Sequence, residues 1–257
     1  MKLLSKLLHH IKFKIWLYYK VIIPQFYFSV RLGNIIRGGP FKGAIYNLSS
    51  IGSTLTPKLL GTYEHELYEY FTSDFLKNYE RFIDIGAAEG YYVVGVRYLN
   101  QEINLIAFET EAKGRKKLLK NLLKNNLWDD KKVLIKSECT HLELKKALMI
   151  KQKTFVLCDI EGYENILLDL NKVPQLSSCD ILVEIHHNLV KNIEDILLDR
   201  FSTTHEATKI NKLDKTILSK NYTDYFIHKK FNYLCNEFRK NETWIFFKSK
   251  AHENTNF

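Results

Sequence analysis

Five apolar runs separated by helix-like segments dominate the chain beyond residue 80. The runs cover 81–85, 103–109, 132–135, 154–160 and 180–185; the segments between them, 90–100, 112–126, 140–150 and 163–171, repeat at helical spacing. Strand and helix in alternation mean a mostly parallel sheet joined by right-handed crossovers. The runs are apolar throughout rather than at every second residue, as strands covered on both faces require. A further helix is predicted over 189–201, and Thr243-Trp244-Ile245-Phe246-Phe247-Lys248 reads as a closing strand. The polar and aromatic segment 211–241 reads as an insertion before that strand. The expected fold class is α/β, a Rossmann-like, doubly wound, mostly parallel sheet.

The first run ends in a turn of small residues, Asp84-Ile85-Gly86-Ala87-Ala88-Glu89-Gly90-Tyr91. Such strand–turn–helix junctions bring backbone amides close to nucleotide-like ligands. A dinucleotide fingerprint needs glycines at the first, third and sixth positions of G-x-G-x-x-G, and here Ala88 and Tyr91 fill the latter two. A pyrophosphate is therefore disfavoured. Glu109 ends the next run 25 residues after Asp84, close to the spacing of about 20 at which a βαβ unit offers a carboxylate to a ribose. Asp84 for an ammonium, amides near Gly86 for a carboxylate and Glu109 for two ribose hydroxyls suit an adenosyl ligand carrying an amino acid. S-adenosylmethionine has this set of groups. The residues expected at the cofactor are Asp84, Gly86, Ala87, Glu89, Gly90, Tyr91, Glu109 and Asp159, with Ser137 and Glu138 added by their position after the third strand. The plain alternative is a tight turn that binds nothing.

Acceptor chemistry belongs at the carboxyl ends of the fourth and fifth strands, the ligand side of open α/β sheets. Asp159, Glu161, Glu184, His186 and His187 fall there. Glu184 lies inside an apolar strand, where a carboxylate needs a partner. His186 shares its strand face, while His187 points the other way. The expected catalytic set is Asp159, His186, Glu161 and Glu184, with His186 as general base. Each has a plainer role: Asp159 as a helix cap, Glu161 and Glu164 as first-turn carboxylates favoured by the helix dipole. A metal held by Asp159, Glu161 and His186 is conceivable, but no local ligand spacing compels it, and none is expected.

Residues 1–30 form a separate unit of the pattern. Leu3, Leu4, Leu7, Leu8, Ile11, Ile15, Tyr18, Tyr19 and Ile22 recur at helical spacing, with Lys2, Lys6, His9, Lys12 and Lys20 among them. A basic amphipathic helix of this kind suits an anionic membrane interface, or else packs on protein. Pro24 reads as its end. Residues 31–79 form a loop-rich lead-in with a helix expected over 58–78, its face carrying Leu67, Phe71 and Phe75. The domain expected to bind the cofactor is 80–257.

The balance of 38 basic and 29 acidic residues gives a net charge of +9 and favours anionic partners. No Lys/Arg block interleaved with aromatics is present, so nucleic acid is not expected. Cys139, Cys158, Cys179 and Cys235 form no C-x-x-C pair, which argues against zinc and for a reducing compartment. No signal peptide or membrane span is read, so the expected location is cytoplasmic, at the inner membrane face if the amino-terminal helix docks there.

Phe82 to Tyr92 resembles motif I of class I S-adenosylmethionine-dependent methyltransferases. Phe108-Glu109, followed by Leu119, Asn121 and Asn125-Asn126, is similar to the second strand and helix of the FkbM-type subfamily. Asp159-Ile160-Glu161-Gly162-Tyr163-Glu164 resembles its D-[VI]-E-G-x-E signature, and Val183-Glu184-Ile185-His186 its next strand. Pro57 to Glu64 looks like the lead-in of some glycan-cluster members, which draws Tyr63 and Glu64 toward the site. The resemblance implies the seven-stranded class I methyltransferase fold, S-adenosylmethionine as cofactor, and O-methyl transfer to a hydroxyl of a glycan, glycolipid precursor or related sugar. A non-catalytic adenosyl-ligand binding or scaffolding protein on the same fold is the alternative. Oligomeric state is not legible.

Overall fold

The computed structural model describes residues 23–237 and 243–251, together with residue 12. Seven strands, β1 (Arg81–Ile85), β2 (Asn104–Phe108), β3 (Val133–Lys136), β4 (Thr154–Cys158), β5 (Cys179–Ile185), β6 (His205–Ile210) and β7 (Thr243–Ser249), form one sheet. Its order is β3-β2-β1-β4-β5-β7-β6. Strands β1 to β5 run parallel, and β7 runs antiparallel between β5 and β6. The fold is thus the expected Rossmann-like, doubly wound, mostly parallel seven-stranded sheet. Strand order reverses between β1 and β4, the switch point at which such sheets open a crevice. Ile85 pairs with both Phe108 and Cys158, so the residues that follow, Gly86, Glu109 and Asp159, emerge together on one edge.

Helices α1 (Ile23–Leu32), α2 (Leu55–Leu60), α3 (Ser73–Leu76), α4 (Tyr91–Leu99), α5 (Ala112–Lys124), α6 (His141–Ala147), α7 (Glu164–Leu167), α8 (Ile193–Phe201) and α9 (Tyr225–Leu234) complete the described elements with three 3-10 segments. The two sheet faces bury separate cores, because successive strand residues point to opposite sides. Phe82, Leu105, Phe155, Leu157, Leu182 and Trp244 pack on one side with Ile36, Phe41, Tyr46 and Leu59 of the lead-in and Phe231 and Leu234 of α9. Ile83, Ile106, Val156, Ile181 and Phe247 pack on the other with Leu144 of α6 and Leu197 and Phe201 of α8. The lead-in is therefore part of the core that supports the sheet.

Two sequence readings change, and two others fall on residues outside those described. The single helix over 58–78 is three pieces: α2, a 3-10 turn (His65–Phe71) and α3. Gly61 closes α2 at φ 75, where a Cβ would lie 1.9 Å from the carbonyl oxygen of Gly38, and Thr72 opens α3 by accepting from the amide of Phe75. Pro24 falls within the range of α1, and whether another helix ends ahead of it lies outside the described residues. Segment 211–241 holds a 3-10 turn (Lys215–Asn221) and α9, but strand β6 before it escaped the pattern. The 1–30 helix falls mostly outside the described residues; within it the chain is described at residue 12 and from Ile23. No helix among the described residues is long and apolar enough to cross a membrane.

Candidate functional site

The turn from β1 into α4 is built so that only glycine fits at its start. Gly86 has φ 93, and a Cβ there would lie 1.8 Å from the carbonyl oxygen of Asp159. The turn touches the end of β4 with nothing between. Ala88, with φ 47, holds a left-handed conformation that costs a non-glycine residue energy. Its amide donates to Oε2 of Glu109 at 2.8 Å, which fixes the turn against the end of β2.

One sequence expectation fails here. The amides of Gly86 and Ala87 both donate to the Phe108 carbonyl, at 3.0 and 2.9 Å, and that of Gly90 to the Ala87 carbonyl at 2.7 Å. These amides hold the turn and offer no cradle for a ligand carboxylate. The carboxylates are different. Glu109 accepts from Ala88 and, through Oε1, from the amide of Glu111 at 2.6 Å, so both oxygens are held while lone pairs remain. Gly114 makes room for it; a Cβ there would meet its Cγ at 2.7 Å. Asp84 is buried at 3% exposure, and no described residue donates a hydrogen bond to its carboxyl. Burial, and after it the charges of Asp159 and Glu109, push the Asp84 carboxyl well above the usual carboxylate range.

A cleft of about 610 Å³ opens along this edge. Gly86, Ala88, Tyr91, Glu109, Ser137, Glu138, Asp159 and Glu161 all line it. Asp84, Ala87 and Gly90 lie behind these residues rather than on the lining. Glu89 is the clearest departure. Fully buried, it faces the lead-in: Oε1 accepts from the Tyr46 hydroxyl (2.6 Å), the Ser50 hydroxyl (2.7 Å) and Lys58 Nζ (2.7 Å), and Oε2 from the Ile51 amide (2.8 Å). Burial pushes this carboxyl up, but Lys58 and the hydroxyl donors outweigh it and hold it ionised, below the usual range. Glu89 thus anchors the wall formed by Ile51, Gly52, Ser53, Lys58 and Tyr63. Sequence reasoning missed that wall, apart from Tyr63, because its residues carry no motif; a run of turn formers was the available signal. Glu64 does not reach the lining, and the Tyr92 hydroxyl donates to its buried carboxylate.

Across the cleft, the ends of β4 and β5 bring the acidic residues and His186 together. His186 Nδ1 lies 2.8 Å from Oε1 of Glu164, which also accepts from the amides of Ile160 and Gly162, each at 3.1 Å. Its Nε2 stands 3.4 Å from Glu184, 3.6 Å from Asp159 and 3.6 Å from Glu161. Burial lowers the imidazole pKa, but the Glu164 hydrogen bond and the surrounding carboxylates outweigh it and raise the pKa above its ordinary value. Glu161 is no helical first-turn residue; at φ 54 it sits in the turn before Gly162, its side chain 77% exposed, and Glu164 begins α7. His187 points away, to Thr243 Oγ1 at 3.0 Å.

No family model matches this chain, and no curated protein matches it in sequence. Solved structures are similar in fold. The methyltransferase domain of METTL16 aligns at a TM-score of 0.48 and 15% identity, covering 80% of this chain and 88% of that one. An O-methyltransferase from Bacillus cereus in complex with S-adenosylhomocysteine aligns at 0.44 and 13% identity, covering 69% and 80%. The O-methyltransferase TomG from Streptomyces achromogenes, in complex with S-adenosylmethionine, aligns at 0.43 and 13% identity, covering 67% and 74%. At such identities the likeness is one of fold.

Proposed function

We propose that this chain is an S-adenosylmethionine-dependent O-methyltransferase whose acceptor is a hydroxyl of a glycan or glycolipid precursor. One observation carries the cofactor reading: the buried, donor-free carboxyl of Asp84 beside Glu109, whose two oxygens are held by backbone amides. Asp84, just behind the lining, gives up its proton and supplies the counter-charge when an ammonium approaches, and Glu109 supplies the acceptors for two ribose hydroxyls. Lys58 is the cation among the described lining residues and takes the place of the spent amides toward a ligand carboxylate. Phe108, Ser137, Glu138 and Cys139 form the adenine side. The cleft volume of about 610 Å³ falls within the range of about 300–1,000 Å³ typical of small-molecule sites. When bound, S-adenosylmethionine supplies an electrophilic methyl group on a sulfonium leaving group. Positioning the acceptor oxygen in line then provides much of the rate. Asp159 and Glu161 reach the lining from the acceptor side, with His186 and Glu184 behind them.

The amino-terminal segment supports a membrane-proximal acceptor. Of the 38 Lys and Arg residues, nine lie in 1–63 and 29 beyond; all 29 Asp and Glu residues lie beyond. The net positive charge of the chain therefore resides in its first quarter. On α1, Ile23, Phe26, Tyr27 and Val30 are exposed at helical spacing, an apolar stripe next to Arg31. Such a stripe with basic flanks suits an anionic lipid interface. The test is mass spectrometry of lipid-linked and surface glycans from cells with and without the protein. A glycan heavier by one methyl group only when the protein is present supports the reading; identical glycan masses overturn the choice of acceptor.

A further inference from the structure

We propose that Asp159, Glu184 and His186 form a binding site for a hard divalent cation of the Mg²⁺ or Mn²⁺ class. These three offer ligand atoms that all lie within 4.8 Å of one another. The site is non-local: Asp159 follows β4, Glu184 lies near the end of β5, and His186 follows β5.

The geometry distinguishes a cation site from a chance acidic cluster. Nδ1 of His186 is held at 2.8 Å by Glu164, an acceptor-only carboxylate, so this nitrogen carries the proton. The Nε2 lone pair then faces the carboxylates. A charge-assisted hydrogen bond from Nε2 to any one of them would close to about 2.7–2.9 Å. Instead Nε2 stands nearly equidistant, 3.4 Å from Glu184 Oε2 and 3.6 Å from Asp159 Oδ1. Ligands at right angles around an ion with bonds of about 2.1–2.3 Å are separated by about 3.0–3.3 Å. The two nitrogen–oxygen distances come within a few tenths of an ångström of that shell, and the two carboxylate oxygens lie within 4.8 Å of each other. The carboxylate behind the histidine is the usual orienting partner of a ligating imidazole. Glu164 is itself fully buried, and its Oε2 has no hydrogen-bond partner among the described residues. Two carboxylates and one imidazole favour Mg²⁺ or Mn²⁺ over soft metals, and the absence of cysteine from the trio disfavours zinc of the structural kind.

The site touches the cleft through Asp159, and Glu161 reaches within 3.6 Å of the same nitrogen from the solvent side. A cation there holds an acceptor hydroxyl against the methyl donor and acidifies it. That role rests on the methyl-transfer reading; the site itself does not.

Mn²⁺ titration of the full chain, followed by electron paramagnetic resonance of the free ion, tests the site directly. One Mn²⁺ bound per chain, displaced by excess Mg²⁺, is expected. Glu184→Gln and Asp159→Asn should each weaken Mn²⁺ binding at least tenfold, with a circular dichroism melt confirming that each folds. S-adenosylhomocysteine binding, measured on the same samples, should change less than threefold in Glu184→Gln. Wild-type protein that leaves millimolar Mn²⁺ free overturns the cation site whatever the variants do. Mn²⁺ binding without S-adenosylhomocysteine binding leaves the site standing and overturns the cofactor reading.

Discussion

Glu89 ties the lead-in to the cofactor turn, and its removal should be costly. In Glu89→Ala, Lys58 Nζ, with 4% of its side chain exposed, keeps the Ser50 hydroxyl at 3.2 Å and loses its counter-charge. Breaking one partner of a buried ion pair costs about 3–5 kcal/mol. The Tyr46 hydroxyl and the Ile51 amide lose their acceptor as well. Each buried orphan costs about 1–3 kcal/mol, but neighbours sharing one partner are not additive. A total near 4 kcal/mol is a large share of the roughly 5–15 kcal/mol that stabilises a native chain. At about 2–4 °C per kcal/mol for a chain of this size, the melting temperature should fall by about 8–16 °C. Glu89→Gln keeps one acceptor oxygen and should lose about half as much. Urea unfolding of Glu89→Gln, Lys58→Met and the double variant closes a mutant cycle, with an expected coupling of about 2 kcal/mol. Loss of less than 1 kcal/mol in Glu89→Ala, or a coupling indistinguishable from zero, would refute the anchor.

Further outcomes follow from other contacts. Gly86→Ala must relieve a Cβ 1.8 Å from the Asp159 carbonyl oxygen at φ 93; it should cost about 2–4 kcal/mol by thermal melt and abolish ligand binding. Glu109→Gln leaves one of the Ala88 and Glu111 amides without its acceptor; it should cost about 1–3 kcal/mol by thermal melt and weaken S-adenosylhomocysteine about 10–100-fold in calorimetry. Phe26→Asp with Tyr27→Asp on α1 should reduce pelleting with anionic vesicles and leave pelleting with neutral vesicles unchanged. Burial, and after it Lys215, lower His65 to about 4, against an unfolded value of about 6.5. Between those pH values the unfolded chain binds a proton that the folded chain refuses, so stability should fall by about 1–2 kcal/mol on acidification from pH 6.5 to 4. His65→Gln should flatten that part of the stability profile.

The sequence exposed the central strands because burial on both faces writes them as unbroken apolar runs. Strand β6 lay beyond that signal: it is an edge strand in which residues 206–209 are exposed, so its composition is that of a loop. Leu67, Phe71 and Phe75 do share the spacing of a helix face, yet Gly61 at positive φ and the Thr72 cap divide the segment. Local spacing does not see such breaks. At the site, the positions of Gly86 and Glu109 on the cleft were legible because both follow strand ends. Glu89 was not, since adjacency to a motif does not tell which way a side chain turns. Asp159, Glu184 and His186 were legible as neighbours at the ends of two adjacent strands; how closely they approach depends on the register of β4 against β5, which pairs Cys158 with Val183.

The claim that the cleft takes an adenosyl amino acid is tested most directly by calorimetric titration of the purified chain with S-adenosylhomocysteine and, separately, with NAD. The expected result is one S-adenosylhomocysteine per chain with micromolar affinity, lost in Asp84→Asn, and no heat with NAD. Heat with NAD and none with S-adenosylhomocysteine would contradict the account.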